Sequence, residues 1–239
     1  PTRRSSDLVI MDGNGRWAKG LGKPRIEGHR QGIKSVRETV TTCRELGIPY
    51  LTLYAFSVEN WKRPRLEIDA LMQLLRTFLL DEIEEMREND IRLHSIGRTE
   101  DLPGSVRKVL RKAQEETRHC ETMQLNLALS YGGRTEISTA ARRIAEDVRA
   151  GRLDPDTVSP ELFSTYLSTA GIPDPDLMIR TSGEFRVSNF LLWEIAYAEL
   201  WITSVLWPDF RKGHLLSAIL DYQRRDRRFG RVDEVDGAL

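Results

Sequence analysis

The run Asp12-Gly13-Asn14-Gly15-Arg16-Trp17 brings a carboxylate, two glycines and a guanidinium together on a short stretch of chain. Glycines let a backbone turn tightly and aim its N–H groups at an anion, and an arginine adds a forked donor. A diphosphate suits such a cradle. The Asp12 carboxylate would repel it unless a divalent cation stood between them, which points to Mg²⁺, an ion that bridges carboxylate and phosphate oxygens. The same residues also suit an ordinary strand-to-helix turn opened by a capping aspartate, and the motif alone leaves both readings open.

A second group, Arg180, Arg186 and Ser188, could grip another diphosphate through forked and hydroxyl hydrogen bonds, although arginines on a loop are often simply solvated. Arg25 and His29 follow the first motif, where a helix N-terminus would add positive potential; His29 also suits a structural role. The charge run ending at Arg228-Phe229-Gly230 reads by default as a solvated helix face. Gly13, Gly15 and Ala18 satisfy the G-x-G-x-x-A dinucleotide pattern, but no acidic residue ends a second strand about 20 positions on, as that site requires. An NAD-dependent oxidoreductase therefore ranks below a metal-diphosphate enzyme. The P-loop sequence of ordinary NTPases is missing.

These motifs need elements to hold them. Short apolar, β-branched runs at 8–11, 50–56, 91–96, 123–130 and 177–180 predict strands, with 202–206 a weaker sixth. Between them lie stretches of helical period, among them Ile137, Ala140, Ile144 and Val148, and a longer one over 67–89. In the latter, Leu74 and Leu80 widen the apolar face beyond a stripe, as suits a central core helix or the wall of a hydrophobic cavity. The alternation predicts an α/β fold: a single domain over 1–239 with a mostly parallel central sheet flanked by helices. Residues 150–160 read as a surface connection, not a domain boundary. Four polar segments follow four of the strands directly, so a parallel sheet would place all of them on its carboxyl edge, in one cleft.

Composition narrows the partners. With 36 basic and 36 acidic residues among 239, the formal charge is zero and no broad basic field favours nucleic acid. Cys43 and Cys120 lack a CxxC partner, which argues against structural zinc or a disulfide framework and for a reducing cytoplasm. The apolar stretch 190–207 contains Glu194 and Glu199 and so reads as core, not as a membrane span; the start shows no cleavable apolar segment.

Taken together, IMDGNGRWAK, GHRQG, LYAFSVENWKRP, YGGR, IRTSGEFRVSNFLLWEIAYAEL and LWPDF resemble the undecaprenyl diphosphate synthases of the cis-prenyltransferase family, from about Val9 to Gly230. The resemblance implies condensation of isopentenyl diphosphate with an allylic primer, usually farnesyl diphosphate, to a cis-polyprenyl diphosphate that serves as a cell-wall lipid carrier. It makes Asp12 the catalytic carboxylate and Mg²⁺ ligand, with Glu199 a further metal ligand. It assigns Gly13, Asn14, Gly15 and Arg16 to the primer diphosphate, supported by Trp17, Arg25 and His29. Ser57, Glu59, Asn60, Trp61 and Arg63 fall in a mobile segment, where Asn60 helps to remove the proton. Arg180, Arg186 and Ser188 correspond to the isopentenyl diphosphate site.

The resemblance further implies a hydrophobic product tunnel, with Ala55 and Met123 as candidates for its floor. It also implies a homodimer that joins through 190–206, with Arg228–Gly230 reaching the partner's site, and peripheral contact with the inner face of the membrane for product release. The chain departs from the family at Ser6, where a histidine is usual, and at Phe185, which can neither ligate metal nor accept a hydrogen bond. A shorter-chain synthase and a non-catalytic partner subunit are the alternatives; Asp12, Asn60, Arg180, Arg186 and Glu199 oppose the second.

Overall fold

Residues such as Leu51, Leu53, Leu125 and Leu127 alternate along their strands with residues that face the other way, and both sets are buried. Strands of this kind need cover on both faces. The computed structural model describes residues 5–227 and provides it. In chain order the elements are β1 (Ser6–Ile10), α1 (Asn14–Gly20), α2 (Arg25–Glu45), β2 (Tyr50–Ser57), α3 (Arg65–Glu88) and β3 (Ile91–Ile96). There follow α4 (Gly104–Thr117), β4 (Met123–Tyr131), α5 (Gly133–Arg149), α6 (Pro160–Ser164), β5 (Leu177–Arg180), β6 (Glu199–Ile202) and α7 (Lys212–Gln223).

The strands form one sheet in the order β3-β4-β2-β1-β5-β6, and every pairing is parallel. The larger core packs Val9, Leu53, Leu127 and Ile179 against residues of α2, α3, α4 and α7. On the opposite face Leu8, Ile10 and Met178 meet Phe190 and Leu191. The strands that carry the polar motifs, β4, β2, β1 and β5, are the four inner ones.

The sixth strand lies earlier than its apolar content suggests. Glu199–Ile202 pairs with the four residues of β5, whereas the expected 202–206 turns away and uses its backbone on a loop: Ser182 N–H donates to Val205 O, and Gly183 N–H to Thr203 O, both at 2.8 Å. The apolar residues of 190–206 are spent inside the chain only in part. Phe190 and Leu191 are buried and Trp193 packs on Phe163, while Tyr197 and Leu200 stay exposed.

Helices α1 and α2 pack so closely that only glycine fits at one crossing. A Cβ on Gly28 would stand 1.9 Å from the carbonyl oxygen of Asn14. Gly28→Ala should therefore destabilise the fold by about 1–3 kcal/mol, since that backbone must be driven away. Gly20→Ala, where a Cβ meets nothing within 4 Å, should be neutral or slightly stabilising. Urea midpoints of the two variants measure the contrast; equal midpoints would contradict the close approach.

Candidate active site

The carboxyl edge is organised by Asp12, two residues past the end of β1. Its Oδ2 accepts from Arg180 Nη2 at 2.9 Å, and its Oδ1 accepts from the Gly13 N–H at 2.7 Å. Arg16 adds a longer contact to Oδ2 at 3.4 Å. Burial works to raise the Asp12 pKa, but the bond and charge of Arg180, the Gly13 N–H and Arg16 outweigh it and hold the carboxyl below its ordinary range. Asp12 is thus an anion at neutral pH, still 30% exposed toward the cleft.

Gly13 sits at φ 105°, a conformation that side chains strain to adopt, and a Cβ there would meet Leu206 and Ser182. Asn14 Nδ2 donates to Met11 O, and its buried Oδ1 has no partner among the described residues. Arg25 lays its guanidinium against Gly15 and contacts Glu67 at 3.4 Å. Arg63 Nη1 donates to the same Glu67 oxygen at 3.2 Å. His29 lies beside these groups, and burial together with the charge of Arg63 lowers its pKa to about 4, so the imidazole is neutral. Burial also lowers the Arg63 pKa, with Arg25 adding to the effect and Glu67 opposing it. Cations that are desolvated and crowd one another are complementary to a polyanion.

The loop after β5 adjoins the first motif instead of facing it across the cleft, because β1 and β5 are neighbours. The Asp12 N–H donates to Thr181 Oγ1 at 2.9 Å, and that hydroxyl donates to Asp12 O at 2.7 Å. Arg16 donates to the hydroxyl and carbonyl of Ser182 and pairs with Glu184. Arg180, 3% exposed, also donates to Ser188 Oγ at 2.7 Å and to the carbonyl of Arg186. Arg186 itself is exposed and pairs with Glu184. Arg180 and Ser188 are therefore brought together, with Arg186 at the solvent side of the same loop. Phe185 is 85% exposed and touches none of this network.

In the segment after β2, Asn60 Oδ1 accepts the Ser57 N–H at 3.2 Å. Glu59 accepts from Asn189 Nδ2 at 2.8 Å, and Asn189 accepts in turn from the N–H groups of Gly133 and Arg134, which ties three loops into one. Trp61 donates to Ser130 Oγ at 2.8 Å and packs edge-on against Phe56, so it anchors the segment without lining the cleft. Trp17 is bonded to Asp209 at 2.9 Å on the flank of α1.

Glu199 lies apart from these groups within the chain. It opens β6 level with Leu177, at the amino edge of the sheet, and pairs with Arg225 at 2.7 Å. Asp12 follows Ile10, which is level with Arg180, three residues or about 10 Å further along the sheet. Within this chain Glu199 and Asp12 do not share a metal, and no group of three His, Cys, Asp or Glu residues converges among the described residues. Ser6 is buried in β1, and the Ser6 N–H contacts Asp176 at that same amino edge. Arg228–Gly230 lie outside the described residues. Thr181, Glu67 and Asn189 join the site without having been singled out; position after a strand could have flagged Thr181, but nothing in helical periodicity marks Glu67.

Beneath this polar edge opens a cavity of about 180 Å³ between α2, α3 and the sheet. Asn14, His29, Asn60 and Arg63 form its polar end; Leu53, Ala55, Leu71, Leu75, Phe78 and Leu129 are among its apolar walls. Leu74 of α3 lines it too, whereas the other widening residue, Leu80, is exposed and Met123 does not reach it.

The family described as "Putative undecaprenyl diphosphate synthase" matches residues 10–230. The isoprenyl transferase of Chlorobaculum tepidum is 54% identical over 226 residues, covering 95% of this chain and 85% of the relative. That of Bacillus subtilis is 50% identical over 224 residues, covering 94% and 86%. Among solved structures, lavandulyl diphosphate synthase from Lavandula x intermedia, in complex with dimethylallyl diphosphate, superposes with a TM-score of 0.93 at 36% identity, covering 95% of this chain and 98% of that one. A "probable undecaprenyl diphosphate synthase" from Campylobacter jejuni gives 0.80 at 35%, covering 97% and 100%. Sheet order, loop chemistry and likeness over nearly the whole length agree: the chain belongs to the undecaprenyl diphosphate synthase family of prenyltransferases.

Proposed function

We propose that the protein condenses isopentenyl diphosphate repeatedly onto an allylic primer, with farnesyl diphosphate as primer and undecaprenyl diphosphate as product. The observation that carries this reading is the junction of an anion-complementary edge with an apolar cavity, since both substrates pair a diphosphate with a hydrocarbon. Family membership favours this over the oxidoreductase alternative.

In each cycle the allylic C–O bond breaks and its electron pair leaves with diphosphate. The double bond of isopentenyl diphosphate forms the new C–C bond, and loss of a proton sets a cis double bond. Arg16, Arg25 and the N–H groups at the start of α1 hold the primer diphosphate and stabilise charge as it gathers there. Arg186 and Ser188 hold the second diphosphate, and fixed registry between the two supplies proximity. Asn60 lines the cavity; an amide is not a base at neutral pH, so its part is to position the group that takes the proton.

The chain fits Mg²⁺ through one residue. Asp12 is anionic, partly exposed and oriented from behind by Arg180 and Gly13. Mg²⁺ commonly takes one or two protein carboxylates and completes its shell with phosphate oxygens and water. Held so, it would neutralise charge on the departing diphosphate. We further propose a homodimer through the segment with the exposed Tyr197 and Leu200, and a cytoplasmic enzyme with peripheral membrane contact; among the described residues no helix is long and apolar enough to cross a membrane.

Because Arg180 is buried against Asp12, Asp12→Ala leaves a cation short of a partner and costs stability as well as activity. Asp12→Asn is the cleaner probe. It keeps one acceptor for Arg180 but turns its NH2 toward the Gly13 N–H and removes the paired charge, so it should cost stability, though less than Asp12→Ala, while kcat falls by about 10²–10³. Near-normal kcat in that variant would remove Asp12 from the mechanism. Chelation with EDTA should stop turnover and added Mg²⁺ restore it; undiminished condensation after exhaustive chelation would remove the metal. Arg186→Ala should raise KM for isopentenyl diphosphate more than KM for the primer, and equal increases would show that the two diphosphate sites are not separable in this way.

A further inference from the structure

The active-site cavity has a continuation. A second, smaller space of about 20 Å³ lies further along the same groove between α2 and α3, against β3 and β4, and Val36 and Phe78 line both. The walls change character there. Beyond Phe78 stand Met86, Ile91 and Leu125, and then a polar mouth formed by Arg37 and Arg44 of α2, Glu82 of α3 and Asn89 just after it.

At that mouth Glu82 is 6% exposed, a carboxylate in the middle of a helix face otherwise given to the core. Arg37 Nε donates to Glu82 Oε1 at 2.6 Å, and Arg37 Nη2 contacts the same oxygen. Burial raises the Glu82 pKa against the opposing bond and charge of Arg37, whose own side chain is 46% exposed, so the pair joins a buried carboxylate to a guanidinium that reaches solvent. Arg44 Nε donates to Asn89 O at 2.6 Å and ties the ends of the two helices beside it. Neither Arg37 nor Glu82 touches the polar end of the first cavity, and the reaction makes no use of them.

We propose that the Arg37–Glu82 ion pair is the distal stop of the hydrocarbon channel and so a determinant of product length. The proposal rests on the function put forward above. A growing chain fills the first cavity, passes Val36 and Phe78 by their side-chain rotation, and enters the second space. There each added apolar unit removes remaining water from an ion pair that needs it, an unfavourable step that hydrocarbon walls do not impose. Extension slows at that point and release overtakes it. Widening the channel elsewhere leaves this stop in place; replacing the pair by apolar groups removes it.

The test is the product distribution of the full chain with farnesyl diphosphate, isopentenyl diphosphate and Mg²⁺, with products sized by chromatography. The double variant R37M/E82L keeps side-chain volume, and apolar replacement of an ion pair whose carboxylate is buried is commonly tolerated. Its products should be longer than those of the wild type by at least one isoprene unit, with the rate of the first condensation within twofold. Glu82→Gln, which keeps shape and an acceptor for Arg37, is the second variant should the first not fold, and it should shift the distribution the same way by less. An unchanged distribution in either folded variant overturns the stop. Failure of the wild-type chain to condense the two substrates at all would overturn the functional reading, and the stop with it.

Discussion

Arg180 brings a guanidinium into the sheet edge with its side chain only 3% exposed. A buried guanidinium must find acceptors or the fold loses several kcal/mol, on the order of 3–5 when a partner is removed. Asp12, Ser188 and the carbonyl of Arg186 provide them. Asp12 comes from the end of β1 and the other two from the loop after β5, so pairing the two Nη groups of one cation fixes the end of β1, the curl of that loop and the bearing of the Asp12 carboxylate together. That curl is costly in backbone terms: Ser182, Ser188, Asn189 and Leu191 all take positive φ, which non-glycine residues adopt sparingly. The side chains that hold them there are those of the site.

The same logic extends across the four inner strands. Asn189 is reached from the loops after β2 and β4, and the Tyr54 hydroxyl donates toward the carbonyls of Tyr131 and Ser188 while its ring stacks on Phe190 at 4.1 Å. The loops are therefore not four independent contributions to a cleft. They form one hydrogen-bonded rim, in which displacement of one segment must break bonds in the others. Such a rim keeps charged donors aimed at a shared point without waiting for substrate to organise them, which is the condition for electrostatic stabilisation of a leaving group.

Much of this was legible before any coordinates. Apolar runs located five strands to within two residues at each end, because strands buried on both faces leave little choice of residue. Polar segments directly after strands gave the shared edge, and family motifs then gave roles. What the sequence concealed were effects of neighbourhood. That β5 lies beside β1 depends on strand order, so the sequence placed the loops of Asp12 and Arg180 on one edge without making them neighbours. Glu199 was grouped with Asp12 by motif, which does not show that within one chain the two lie at opposite ends of the sheet. The surplus of apolar residues at 190–206 suggested an interface, yet Phe190 and Leu191 are needed to cover the sheet face opposite the larger core. Glu67 was read only as the first residue of a helical stretch, although its carboxylate balances Arg25 and Arg63.

The last constraint is that water must stay at one end of the site and hydrocarbon at the other. Asn14 shows how narrowly the boundary is drawn: its Nδ2 closes the loop onto Met11, and its Oδ1 is buried beside Gly32, where a Cβ would come within 2.5 Å of that oxygen. Gly32 thus yields room to a polar group at the top of the cavity, while Ile33 and Val36 on the same helix line the hydrocarbon part. On α3 the sequence runs in parallel, from Glu67 beside the cationic rim through Leu71, Leu75 and Phe78 to Glu82. Two carboxylates, each paired with arginine, bound an apolar interval on one helix. In the proposed function the near pair would lie beside the bound diphosphate and the far pair beyond its reach, so the length of the interval between them is a physical quantity that a growing chain would be measured against.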